Sequence, residues 1–237
     1  MYRFSTKQVS ESFELGILLA LVGGYLDAYT YISRGHIFAN AQTGNIVLLG
    51  IDLANGRFMG ALTYFIPILA FAGGILVVEM IQSRLKQYEK LHWRQIIVAV
   101  EFFILLAASF VPRGKWDMAV NVAISFVCAM QVEAFRKLGG DTFATTMCTG
   151  NLRSATEQLY RHLQTKDPLV KKRSLRYYGI ILFFILGAVL GTLITRVFGE
   201  KSVLFCCLLL FFVFLFMFIE PLEETGPEKG SWPTNQP

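Results

Sequence analysis

The sequence predicts an all-α membrane protein, with about six transmembrane helices in two inverted three-span repeats. Each repeat carries an additional polar-interrupted segment, re-entrant or a short helix. Three observations lead there. With 54% hydrophobic and 16% charged residues among 237, the chain is more apolar and less charged than soluble domains, which run at about 45–50% and about 25%. Its apolar residues gather into runs of membrane-spanning length. Two weaker segments repeat one another.

Composition excludes several classes. A mean hydropathy of +0.50 is foreign to a disordered chain or an ordinary soluble enzyme. Cys128, Cys148, Cys206 and Cys207 lie in or beside apolar runs, with no C-x-x-C pair and no neighbouring His. They read as apolar filler, so neither a disulfide scaffold nor a metal site is expected. The net charge of +5 comes from loop residues, which is a topology signal and gives no reason to expect nucleic acid as a partner.

A membrane helix needs roughly 20 mostly apolar residues. Six runs reach or approach that length: Phe13–Ile32, Leu62–Ile81, Ile96–Val111, Met118–Phe135, Tyr178–Val197 and Ser202–Ile219. The first contains Asp27 and lacks a clear cleavage site, so it is a span and not a signal peptide. The third is short and contains Glu101. Phe38–Leu53 is interrupted by Asn40, Gln42, Thr43 and Asn45. Phe143–Leu163 sets Arg153, Glu157 and Arg161 opposite Leu152, Ala155, Leu159 and Leu163, the pattern of an amphipathic helix.

Loop charge argues that these two segments do not cross. The basic stretches Arg84, Lys86, Lys90, Arg94 and Arg161, Lys166, Lys171, Lys172, Arg173, Arg176 should both face the cytoplasm. With six spans they do, together with Arg3, Lys7, Arg136 and Lys137. With eight they fall on opposite sides; a seven-span version stays as a minor alternative. The domain plan is a cytoplasmic N-terminus at 1–12, membrane repeats at 13–111 and 112–220, and a disordered cytoplasmic tail at 221–237.

The repeat reads as an ordered series. Asp27-Ala28-Tyr29 matches Glu133-Ala134-Phe135, Gly35 matches Gly140, Phe38-Ala39 matches Phe143-Ala144, and Thr43-Gly44-Asn45 matches Thr149-Gly150-Asn151. Three spans per half is odd, so the second half is inverted, a plan common among secondary transporters.

Chemistry is expected at the polar positions of this series. Gln42, Thr43, Gly44, Asn45, Thr149, Gly150 and Asn151 are the candidate substrate-binding residues. The glycines would permit a break in the chain. The threonines would cap helices beginning near Asn45 and Asn151, whose N-termini suit an anion or polar solute. The bland alternative is a pair of interfacial turns. Asp27 and Glu133 are the candidates for proton or ion coupling, since a carboxylate within a span is costly. Their alternative is an interface carboxylate paired with Arg34 or Arg136. Glu101, Asn121 and Gln131 read as interhelical hydrogen-bonding groups. Gly23-Gly24, Gly73-Gly74 and Gly187-x-x-x-Gly191 read as close helix-packing sites. No nucleotide, hydrolase or zinc motif is found, so no enzyme activity, catalytic residue, metal or cofactor is expected.

The run Gly24-Tyr25-Leu26-Asp27-Ala28-Tyr29-Thr30-Tyr31, followed by Gly35, Phe38-Ala39-Asn40 and Gln42-Thr43-Gly44-Asn45, closely resembles the YoaK-like family of bacterial multi-pass membrane proteins. Thr149-Gly150-Asn151 and the Gly187/Gly191 span fit it too, so the resemblance covers nearly the whole chain except the tail. It implies a multi-pass protein of the bacterial cytoplasmic membrane, but no substrate and no site residues. The leading expectation is a small secondary transporter or channel-like permease for a small polar or anionic solute, proton-coupled, with both termini cytoplasmic. Its partners would be the lipid bilayer, that solute and, for so small a chain, a second copy in a homodimer. The alternative is a non-transporting assembly, sensing or scaffold protein acting through the basic stretch 161–176.

Overall fold

The structure is a computed structural model and describes residues 13–85, 93–138, 141–142, 146 and 148–217. The N-terminus, the tail, Lys86, Lys90, Gly140 and Phe143-Ala144 lie outside the described residues. Among those described, the chain is helical apart from one two-residue antiparallel pairing. The helices are α1 (Phe13–Ser33), α2 (Gln42–Ala54), α3 (Phe58–Leu85), α4 (Trp93–Ala108), α5 (Asp117–Ala134), α6 (Cys148–Thr165), α7 (Pro168–Phe198) and α8 (Leu204–Phe216). Strands β1 (Lys137–Leu138) and β2 (Asp141–Thr142) pair between α5 and α6.

Among the described residues, four stretches are long and apolar enough to cross a membrane: Phe13–Ser33, Phe58–Arg84, Asp117–Ala134 and Pro168–Phe216. The last is bent. Gly199, at φ 61°, ends α7, and the chain turns through a short 3-10 helix (Gly199–Val203) into α8. Helices α4 and α8 are apolar but shorter, at 16 and 13 residues. Helix α7, with 31 residues, is about 46 Å long at 1.5 Å per residue. That exceeds a hydrocarbon core of about 30 Å, so one end must project. Its first turns carry Lys171, Lys172, Arg173 and Arg176 and pack on amphipathic α6. Asp167 caps α7 by accepting the Leu169 N–H, with Pro168 in the first turn.

Helix α1 packs along α7, and α5 along α3. Helix α4 packs on α8 and α5, and α8 also on α1; α2 lies on α3 and α6 on α7. Exchanging α1–α4 with α5–α8 maps these pairings onto themselves. Small residues let the long helices touch backbone to backbone. A Cβ at Gly24 would meet the Phe184 carbonyl, one at Gly187 the Leu21 carbonyl and one at Gly74 the Phe126 carbonyl. Gly73 differs from the packing expectation, having no neighbour where its Cβ would be. The core is lined by Leu19, Val22, Leu26, Ile97, Ile124, Val127 and Leu210, all without exposed surface.

Candidate functional site

The first polar segment folds around Asp27. This α1 residue is 5% exposed, and its Oδ1 accepts the Asn40 N–H at 2.6 Å and the Ala41 N–H at 3.4 Å. Ala41 precedes α2 and offers it no side-chain cap, so Asp27 brings negative charge to that helix end from a neighbouring helix. Asp27 does not pair with Arg34. Asn45 then ties the loop to the helix. It accepts the Phe38 N–H at 3.0 Å and donates to the Phe38 carbonyl at 2.7 Å and to Gln42 Oε1 at 2.9 Å. Gln42 donates in turn to the Ala39 carbonyl at 2.9 Å.

Two details correct the expectation from sequence. Helix α2 begins at Gln42 and α6 at Cys148, so Thr43 and Thr149 lie in first turns and are exposed, not caps. Gly44 and Gly150 are helical and break nothing. The Phe38 ring explains Gly44, because its Cδ2 would lie 2.8 Å from an added Cβ. Gly150 is exposed with open space around it. Within each triplet it is the asparagine that is buried, Asn45 at 0% and Asn151 at 3% exposure.

Both segments reach the same turn of α1. Asn40 Nδ2 donates to the Gly23 carbonyl at 3.2 Å. Buried Thr146, just before α6, lays its methyl group against the Gly23 Cα, where any side chain would collide with it. Cys148 lies within electrostatic reach of Asp27. The two repeated elements thus meet at Gly23–Asp27, though through Asn40, Asp27 and Thr146 and not through Thr43 or Thr149. Asp27→Asn should loosen this clasp by about 1.5–3 kcal/mol, the worth of hydrogen bonds to a charged group. A cysteine at Ala41 should then react faster with a thiol reagent than in the Asp27 protein.

Other buried polar groups lie on α5 and α4. On α5, Asn121, Ser125 and Gln131 are each at most 1% exposed. Asn121 Nδ2 donates to the Arg34 carbonyl at 2.6 Å and Gln131 Nε2 to the Leu19 carbonyl at 3.2 Å, as the interhelical reading expects. Yet Asn121 Oδ1, Ser125 Oγ and Gln131 Oε1 have no hydrogen-bond partner among the described residues. Asn40 Oδ1 has only the weak donor Cys128 beside it. Glu101 on α4 is fully buried, and neither oxygen is paired among the described residues, where its expected interhelical hydrogen bond is not found.

Glu133 behaves differently. It pairs with Arg136 at 3.4 Å near the end of α5, with the Glu79 carboxyl of α3 beside it. It is not brought to the Gly23–Asp27 turn. Sequence reading passed over Ser125, Asn40 and Glu79 as site residues. The signal for the first was present, since Asp117, Asn121 and Ser125 recur every four residues on one helical face.

One curated relative is the UPF0700 transmembrane protein YoaK of Bacillus subtilis (strain 168). It is 28% identical over 185 residues, covering 74% of this chain and 80% of that protein. No solved structure matches the chain. This is a membrane protein of a transmembrane family. The family model described as "Protein of unknown function (DUF1275)" matches residues 15–216, and the chain belongs to that family.

Proposed function

We propose that this protein is a small secondary transporter or channel-like permease that moves a small polar or anionic solute along the inner face of α5. The observation that carries this reading is the set of buried polar oxygens without a hydrogen-bond partner among the described residues on Asn121, Ser125, Gln131 and Glu101, with Asn40 facing only a thiol. Buried polar groups are almost always satisfied, and leaving one unmade costs about 1–3 kcal/mol. Five in one membrane interior is a large cost for packing alone, and it is offset when a solute or water supplies the missing partners.

The architecture fits this reading. Helices α1, α3, α4, α5, α7 and α8 would be the spans, with α2 and α6 short of crossing. The exchange symmetry of the helix pairings supports two inverted three-span halves. The basic loops would place both termini in the cytoplasm of a bacterial cell. The Gly23–Asp27 turn, clasped by both repeated elements, would be the substrate-facing hinge. This reading needs no enzymatic step, metal or cofactor, and a homodimer would be its natural assembly.

The test is flux into proteoliposomes across a panel of small anions, zwitterions and polar solutes. A transported solute should lose about tenfold or more in rate with Gln131→Leu or Ser125→Ala, while Ser125→Ala keeps the wild-type melting behaviour. No flux of any solute, or flux indifferent to both substitutions, defeats the reading. The scaffold alternative has its own observation. Helices α6 and α7 expose Leu152, Tyr160, Leu163 and Leu169 beside the basic residues of 161–176. A pull-down that requires that stretch, from a protein that moves no solute, would favour it.

A further inference from the structure

We infer that Glu101, and neither Asp27 nor Glu133, is the carboxyl that binds and releases the proton driving this protein's conformational change. The inference rests on the transport reading and names its coupling residue. It follows from how differently the three carboxyls are held. Asp27 is occupied by two backbone N–H groups. Glu133 has Arg136. Those donors can receive a carboxylate without any movement of the helices, and Glu133 also has the Glu79 carboxyl beside it. Glu101 has no donor among the described residues.

Its surroundings are otherwise apolar. Glu101 sits in the middle of the buried face of α4, flanked by Ile97, Val98 and Leu105 at 0% exposure. Helices α5 and α8 bring only thiols near it, Cys128 from α5 and Cys206 and Cys207 from α8. Among the described residues, no side chain of α3, α5, α8 or the 199–203 turn donates a hydrogen bond to it. A carboxylate ion in such a place would have nothing to neutralise it, and an unpaired buried ion is among the costliest groups a protein can hold.

The packed arrangement therefore accommodates the acid form, and ionisation demands a rearrangement that admits water or a donor. The weak point in the packing is adjacent. An apolar groove of about 470 Å³ opens between α4 and α5, lined by Ile104, Ala107, Ala108, Ala119, Val120 and Ala123. Ile104 lies about one turn from Glu101. Parting the helices along this groove would expose the carboxyl, so proton release and helix separation become one event. A proton that stabilises one of two arrangements is the differential ligand a coupled transporter requires.

The experiment is infrared difference spectroscopy of the full chain in lipid bilayers, stepped between mildly acidic and mildly alkaline pH. The expected result is a protonated-carboxyl band that disappears as pH rises. It should be absent in Glu101→Gln, displaced in Glu101→Asp and retained in Asp27→Asn and Glu133→Gln. Glu101→Asp keeps the test decisive if the Gln variant does not fold. Absence of any titrating carboxyl band, or a band untouched by both Glu101 variants, overturns the inference. The readout needs no solute. A Glu101 band in a protein without flux would sink the transport reading and leave the proton site standing. Flux without that band would do the reverse.

Discussion

Asp117→Ala should destabilise the protein by about 3–5 kcal/mol, the cost of stranding a buried charge. Arg34 is the reason. Its side chain has no exposed surface and follows directly on α1. The guanidinium donates to Asp117 at 2.9 Å, to the Tyr29 hydroxyl at 3.0 Å, and to the carbonyls of Ala108, Val111 and Pro112 at 3.3, 2.8 and 3.2 Å. Those carbonyls belong to the end of α4 and the loop after it, where the helix leaves acceptors unpaired and carries partial negative charge. Asp117 is the first residue of α5 and also accepts the Gly114 N–H at 2.9 Å. One side chain thus joins the ends of three helices. Thermal or denaturant unfolding in detergent micelles measures the effect. Arg57→Ala is the control, because that pair with Asp52 has a 59% exposed arginine and should cost no more than about 1 kcal/mol. Arg34→Met with Asp117→Leu should recover much of the loss, since removing both charges costs less than removing one. If Asp117→Ala costs no more than Arg57→Ala, the buried clamp does not hold the fold.

That clamp marks the limit of what sequence shows. Hydropathy located the long helices because burial in lipid or in a core demands the same apolar surface all round. It placed α1, α3, α5 and α7 over their observed positions and found α2 and α6 as weaker segments. It misplaced the starts of α2 and α6 by three residues, and for α2 the reason is physical. The group serving that helix N-terminus is Asp27, which lies on α1, and a local reading awards the cap to the nearest Thr or Asn. The sequence offers Asp27 as the partner of Arg34, whereas the real one, Asp117, is 83 positions away. The duplicated Thr-Gly-Asn was legible as a repeated element. Which of its residues turn inward was not, because that depends on helix phase, and Thr43 and Asn45, two residues apart, stand about 160° apart around the helix. The polar face of α5 could have been read from its four-residue spacing. Taken one at a time, its members resemble ordinary interhelical hydrogen bonds.

Gly187→Leu should open the α1–α7 crossing at a cost of about 3 kcal/mol or more, with loss of folded yield. Overpacking a core by a few methylenes already costs about 1–3 kcal/mol when side chains can shift. Here the obstacle is backbone: an added Cβ meets the Leu21 carbonyl, and one at Gly191 would lie 2.7 Å from the Tyr25 carbonyl. The helices could accept a side chain only by separating, which forfeits the close packing that membrane helices rely on. The matched crossing of α3 on α5 supplies an internal control from two adjacent residues. Gly74→Ala should destabilise, since its Cβ would strike the Phe126 carbonyl, whereas Gly73→Ala meets nothing and should be neutral or stabilising by about 0.5–1 kcal/mol. Melting midpoints of the three variants in one detergent would check the order. Equal effects at Gly73 and Gly74 would refute the close crossing. The consequence reaches function because the same stretch of α1 has two duties. Leu21, Gly24 and Tyr25 touch α7 while Gly23 and Asp27 hold the two repeated elements. A side chain at Gly187 would therefore displace the clasp as well as the helix. Gly187→Ala, the mildest version, should accordingly raise thiol reactivity at a cysteine placed at Ala41, an effect Gly73→Ala should lack.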